Sequence, residues 1–480
     1  MFKNLINIFN DNKLVVFLLL GIISSYNSPF LFLLDYNQLN VFKIFVIYQY
    51  ISPLIIFTFL IFYVSNYNFF SKFFSNKNLT LKLFLALNFT LIFGIFFNNL
   101  VYFYPVDEVS SQISGKVFLD WKSSYTRLIF VINNLNIIFL SFVCFKEERL
   151  KFILSFIIAV LFIISFYYIF KILYDYINID RVIYFYESEK LRLGSSTFNY
   201  VNPRSSGLAR IILLISIFFI IFFLFYDFKS NFYCKFLKYF IFLLIIFYNF
   251  FIIQLQSRVS MYFLYLFLCL FIFFNIFIKI YKIKKIFFII FSFFILPFFL
   301  SIIFTEYKKN KIIDYIAQDA LSKGLVIEKS NININELGFG SSSRIFDTTT
   351  SGRKNMWLKV INSYENIPLL GYGVLGDRFA YSFSVSNIFL YFLISGGLAG
   401  FLIIILFNIH LSRNILKSLS SKRLFNDCEP FFYISLVFIL FFLFRSLVEN
   451  SYGQFSIDLM LLVPSCLIFE KYLRKHKVIS

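Results

Sequence analysis

Charge is scarce in this chain. Only 15% of its 480 residues are charged and 60% are hydrophobic, whereas soluble domains carry about 25% charged residues. That shortfall excludes a water-soluble globular protein and predicts an integral membrane protein. Histidine is scarcer still: His410 and His476 are the only two. Both fall at predicted cytoplasmic ends, so no histidine is available outside as a zinc ligand or a general base. The five cysteines, Cys144, Cys234, Cys269, Cys428 and Cys466, lie in predicted spans or on the predicted cytoplasmic side. A disulfide framework outside is therefore excluded. Alanine and glycine are sparse while Phe, Ile, Asn, Lys and Tyr rise together. A codon-composition bias produces that pattern, so the 76 Phe and 32 Tyr are not read as a binding surface. Acidic residues are outnumbered, giving a formal charge of +20. The basic residues come in short clusters between apolar runs, which excludes a nucleic-acid face and makes them topology signals.

What is present is a succession of apolar runs. A span needs about 20 apolar residues, and the chain reads as all-α and polytopic with about twelve spans. They lie at 14–34, 42–64, 81–103, 127–145, 152–174, 208–226, 239–255, 259–280, 286–304, 384–408, 430–447 and 455–470. The first run lacks a small-residue cleavage site and is expected to act as an uncleaved span. Lysines cluster at 72–77, 146–151, 229–238, 279–285 and 413–423, and again in "EKYLRKHK". These loops and both termini are therefore expected to be cytoplasmic. Four regions follow in chain order: an N-terminal transmembrane region 1–200, a transmembrane region 201–304, a large outer loop 305–383 and a C-terminal transmembrane region 384–480.

The outer loop contains "SGRKNMWLKVINSYENIPLLGYGVLG" at 351–376. Trp357, Val360, Ile361 and Tyr364 recur at helical spacing, which predicts an amphipathic helix with Ser351 as its cap and Pro368 as its stop. "GYGVLG" matches the dinucleotide-binding glycine pattern formally but has no βαβ context. Gly371, Gly373 and Gly376 are therefore read as turns, and no cofactor is expected. Of the 14 Arg, only Arg149, Arg413, Arg423 and Arg474 fall on the cytoplasmic side. The planar fork of Arg suits phosphate oxygens, so an Arg-rich outer face predicts a phosphorylated ligand.

Three outer helix starts pair Ser with Arg: Ser205 and Ser206 with Arg204, Ser257 with Arg258, and Ser351 with Arg353. Free N–H groups at such starts favour anions, although an arginine there is also an ordinary interfacial anchor. Arg210, deeper in its span, needs a partner or a polar cavity. Arg445 can pair with Glu449 four residues on, and that pair is either structural or catalytic. Asp347, Glu365, Asp377 and Glu449 are the outer carboxylates available as proton acceptors.

The segments "RSSGLARI", "QSRVSMYFLYLFL", the loop segment above, "SNIFLYFLISGGLAGFLIIILF" and "FRSLVENSYG" together resemble the O-antigen ligase/polymerase superfamily. The likeness covers residues 201–455. The resemblance implies an inverting, metal-independent membrane glycosyltransferase acting at the periplasmic face of the bacterial inner membrane. It would take a glycan from an undecaprenyl-pyrophosphate carrier and pass it to a lipid-linked or lipid A-core acceptor. Arg204, Arg258 and Arg353 would bind the pyrophosphate, with Arg210, Arg445, Trp357, Gly371 and Gly373 in support. Asn387 would orient a sugar hydroxyl and Glu449 would act as base. Ser386-Asn387 stand where ligases of the family usually carry His-Asn, which turns the expectation slightly from ligation to polymerisation. A lipid-linked oligosaccharide flippase is the alternative from another class; its charges should line a path open to both faces.

Overall fold

The computed structural model describes residues 13–24, 51–62, 79–101, 121–144, 146–177, 205–226, 232–255, 257–278, 283–322, 353–381, 385–421, 429–453 and 456–479. Every regular element among them is helical. We number these α1 (Lys13–Ser24), α2 (Ile51–Phe62), α3 (Leu79–Val101), α4 (Trp121–Val143) and α5 (Glu147–Ile177). Next come α6 (Ser205–Phe225), α7 (Phe232–Gln254), α8 (Arg258–Ile278) and α9, which runs over 283–322. The series closes with α10 (Arg353–Asn362), α11 (Gly376–Tyr381), α12 (Ile388–Ser420), α13 (Pro430–Ser446) and α14 (Ile457–Lys475). Among the described residues six helices are long and apolar enough to cross a membrane, α3, α5, α6, α7, α9 and α12. The protein is thus a helical membrane protein.

The helices form two compact units, one from 1–157 with 349–480 and one from 158–348. In the first, α12 packs chiefly on α3 and α13 on α14. Lipid tails are as apolar as leucine, so close packing and polar stitches, not the hydrophobic effect, hold such helices together. Gly396 and Gly400 of α12 accordingly face α3 at Thr90, where an added Cβ would meet the hydroxyl oxygen at 3.0 and 3.3 Å. Most of α14 is buried, from Ile457 to Leu473, Asp458 and Glu470 included.

In the second unit α7 packs on α6 and α9. Pro297 has no N–H to give the Phe293 carbonyl four residues earlier, and α9 contains a π-turn at Phe291–Ile295. The side-chain amide of Asn249 donates to that carbonyl at 2.6 Å, and Ser216 donates to the Asn249 oxygen at 2.5 Å. Phe223 packs edge-on against Phe293, centroids 5.6 Å apart. The apolar run of α9 ends at 304, but the helix continues to Ser322. "TEYKKNKIIDYIAQDALS" contains neither Gly nor Pro, so helix propensity carries it past the apolar boundary.

Candidate functional site

The first unit contains a broken helix with a length of chain inserted into the break. In α12 the backbone at Gly397 adopts φ 62, ψ −160, outside helical space. In an unbroken helix the Leu398 N–H would donate to the Ile394 carbonyl. Here Leu398 N–H donates to the Leu369 carbonyl at 3.1 Å, and Ile394 instead accepts from Tyr372 N–H at 2.8 Å. Ser395 accepts from Gly373 N–H at 2.7 Å. Both groups freed by the break are thus bonded to 369–373, which meets the requirement that backbone at membrane depth be satisfied within the protein. A Cβ on Gly397 would collide with the Leu369 carbonyl, and one on Gly373 would meet the Ile95 side chain and backbone. On the other side of the inserted chain Arg127 of α4, fully buried, donates to the Tyr372 carbonyl and to the Val374 carbonyl, the latter at 2.9 Å. Leu375 is held at φ 60, with its N–H donated to the Tyr391 hydroxyl at 3.3 Å. Left-handed backbone at a residue with a side chain costs roughly 1–2 kcal/mol, so the surrounding bonds impose it.

This inserted chain seats the outer-loop helix. Trp357 and Val360 of α10 pack against Tyr372, Ala380, Tyr381, Val385 and Ile394. The sequence stripe is only half right: Ile361 and Tyr364 are 51% and 59% exposed. The helix also stops earlier than Pro368 suggests, at Asn362. The Ser363 hydroxyl turns back to the Lys359 carbonyl at 2.8 Å and a short 3-10 turn, Tyr364–Asn366, follows. The 353–362 helix therefore shows one inward turn of apolar residues and no second. Asp377 in α11 is fully buried and accepts from Val385 N–H at 2.8 Å, closing the loop before α12. Burial pushes its carboxyl up to about 6.

An ionic cluster gathers four stretches of chain at the start of α12. Asn387 caps α12, accepting from Phe389 N–H at 2.9 Å and Leu390 N–H at 3.1 Å. Its amide nitrogen donates to the Leu447 carbonyl at 2.9 Å, tying the start of α12 to the end of α13. Two residues on, Glu449 pairs with Arg445 through one oxygen. Its other oxygen lies 3.9 Å from Nη2 of Arg353, the first residue of α10. Arg445 also pairs with Asp458, which is fully buried in the first turn of α14 and accepts from the Ser451 hydroxyl at 2.6 Å. The two pairs differ in character. Arg353 and Glu449 are 31% and 26% exposed, and such pairs are worth about 0.2–1 kcal/mol. Arg445 and Asp458 are 9% and 0% exposed, and removing one partner of a buried pair costs about 3–5 kcal/mol.

Arg353, Arg445, Glu449 and Asn387 are thus brought together, with Trp357, Gly371 and Gly373 in the framework beneath them. The structure spends both polar ends of Asn387 on backbone groups, so its place here is that of a stitch. Ser386, beside it, is half-buried. Of the other outer carboxylates, Glu365 is exposed and Asp347 lies outside the described residues. Arg204 also lies outside them. Arg258 opens α8 and Arg210 is half-buried early in α6, both in the second unit. Reading the sequence missed Asp458, Ser451 and Arg127. Asp458 follows the Ser456 cap, whose hydroxyl accepts from Leu459 N–H at 3.4 Å, and a carboxylate at the start of an apolar run was the available signal. A lone Arg127 opening "RLIFVINNLN" was another.

His410 stands about 35 Å along α12 from Asn387 at 1.5 Å per residue. There Nε2 lies 3.2 Å from a Glu470 oxygen and 3.1 Å from the Thr80 hydroxyl. Among the described residues no group of three or more His, Cys, Asp or Glu could hold a metal ion. Set against protein-family models, curated proteins and solved structures, the chain matches none of them.

Proposed function

We propose that the protein is a membrane glycosyltransferase of the O-antigen ligase/polymerase type. It moves a glycan from an undecaprenyl-pyrophosphate carrier to a lipid-linked acceptor in surface polysaccharide assembly, with polymerisation favoured over ligation to lipid A-core. The observation that carries this reading is the meeting of Arg353 with Glu449 and Arg445. Two of the segments on which the resemblance rests, far apart in sequence, supply those three side chains. On this reading the protein lies in the bacterial inner membrane with both termini cytoplasmic, and the ionic cluster faces the periplasm.

Displacement of a glycan from pyrophosphate builds negative charge on the leaving group. Fixed guanidinium groups stabilise that charge more in the transition state than in the ground state. Arg353, at the start of α10, supplies such a group at the positive end of a helix. The acceptor hydroxyl oxygen bonds to the anomeric carbon as the carbon–oxygen bond to the diphosphate breaks. The diphosphate leaves with the electron pair, and the hydroxyl proton passes to the Glu449 carboxylate. Asn387 acts through Leu447, holding the turn that presents Glu449.

The test is to incubate the purified protein with an undecaprenyl-pyrophosphate-linked repeat unit, with and without lipid A-core, and resolve the products on a gel. A ladder from the donor alone is the expected result. A single product that requires lipid A-core would make the protein a ligase. No product under either condition would reject the transferase reading.

A further inference from the structure

We infer that the Glu449 carboxylate is a built-in occupant of the anion position at Arg353, which a diphosphate must displace before Glu449 can act. The inference rests on the donor reading above and adds to it an order of events. Its basis is the unequal hold on the two carboxylate oxygens. One is bound to Arg445, and Arg445 is fixed from behind by buried Asp458 and by Ser451, whose hydroxyl lies 3.3 Å from Nη1. The other oxygen faces Arg353 at 3.9 Å, across a pair whose members are 31% and 26% exposed. An incoming anion therefore meets one weak ionic contact in front of a strong one.

Charge and geometry both favour exchange at the weak contact. Arg445 already holds two carboxylates, Asp458 and Glu449, whereas among the described residues Arg353 is paired with one Glu449 oxygen at 3.9 Å. A diphosphate offers several oxygens and more charge. It can engage the flat guanidinium in the paired manner that a carboxylate at 3.9 Å does not. Once it has done so, like charge turns the facing Glu449 oxygen away from Arg353. Glu449 then remains tethered by Arg445, with one oxygen open to an acceptor hydroxyl. The base becomes available when the donor has bound and not before. Asp458 is a positioning residue in this scheme, acting through Arg445 on the tether.

The test measures binding of inorganic pyrophosphate to the full-length protein in nanodiscs by calorimetry, at fixed pH and ionic strength. Removing the competing charge with Glu449→Gln should tighten binding about two- to fivefold, the range of an exposed ion pair, while transfer falls. The gain should vanish in the Arg353→Ala background. Glu449→Asp, which keeps the charge but withdraws it by one methylene, should tighten binding to a lesser degree, so the result does not hang on the folding of one variant. Equal or weaker binding in both Glu449 variants would overturn the inference. If Arg353→Ala abolishes binding in that case, the donor reading stands alone. Failure of the wild-type protein and of every variant to bind pyrophosphate overturns both.

Discussion

The two units of this protein bury different kinds of polar group. In the second unit, among the described residues, the buried polar side chains are neutral: Ser165, Ser216, Asn249, Ser257, Ser260, Ser292 and Ser301. Ser165, Ser216, Asn249 and Ser301 each tie one helix to another, as Asn249 does at the Phe293 carbonyl. In the first unit Arg127, Asp377, Arg445, Asp458 and Glu470 are all buried. Neutral stitches suffice to hold helices together in lipid. Charges there are costly and mark work beyond packing. On the proposed reading the charged cluster of the first unit carries the chemistry, whereas the buried side chains described in the second unit are aromatic, aliphatic or neutral polar.

Breaking a charged stitch should hurt more than breaking a neutral one. Asp458→Asn leaves Arg445 buried without its carboxylate, and the expected loss is about 3–5 kcal/mol of stability, measurable by unfolding in detergent. Replacing both partners, Arg445→Met with Asp458→Leu, should recover much of that loss while activity stays lost, which separates packing from chemistry. Arg353→Ala touches an exposed pair and should leave stability nearly intact. Its expected effect is a loss of transfer rate of about 10²–10³-fold, read in protein of equal abundance.

Asp377 gives the comparison a pH axis. Its carboxyl is pushed up to about 6 by burial, so its stabilising contribution is fully present below the ordinary aspartate range and is lost as pH rises through about 6. Melting temperature should fall between about pH 4 and 7, by an amount corresponding to at most about 3 kcal/mol. Asp377→Asn retains an acceptor for the Val385 N–H and should flatten that profile. The smallest effect belongs to the second unit. Asn249→Leu should cost about 1 kcal/mol and leave transfer unchanged; a loss comparable to that of Asp458→Asn would erase the distinction between the units.

The helical class and the apolar runs were legible because lipid imposes length and composition on a span. The Arg445–Glu449 pair was legible from four-residue spacing, while Ser351, expected to cap the loop helix, lies outside the described residues. The continuation of α9 to Ser322 was hidden, since hydropathy marks where lipid ends and not where a helix ends. Ile361 was read as inward because periodicity cannot tell that α10 meets its support only along Trp357 and Val360. Asp458 was missed because its partner lies on another helix, and Asn387 was read as chemistry because a cap and a ligand contact use the same residue type. "GYGVLG" was read as a set of turns, and the structure gives it positive φ at Gly371 and Gly373. Its real task, donating and accepting across a helix break, depends on a φ/ψ at Gly397 that sequence spacing does not record.

That break also bears on how the chain is made. A helix with two open backbone groups would be penalised on entering the bilayer by itself. Leu369 to Gly373, which bond those groups, leave the ribosome ahead of Gly397, and α3 and α4, which flank them at Gly94 and Arg127, are made earlier still. Synthesis from N- to C-terminus therefore delivers every partner of the break before the break itself, so the order of biogenesis matches the order in which this site can be assembled.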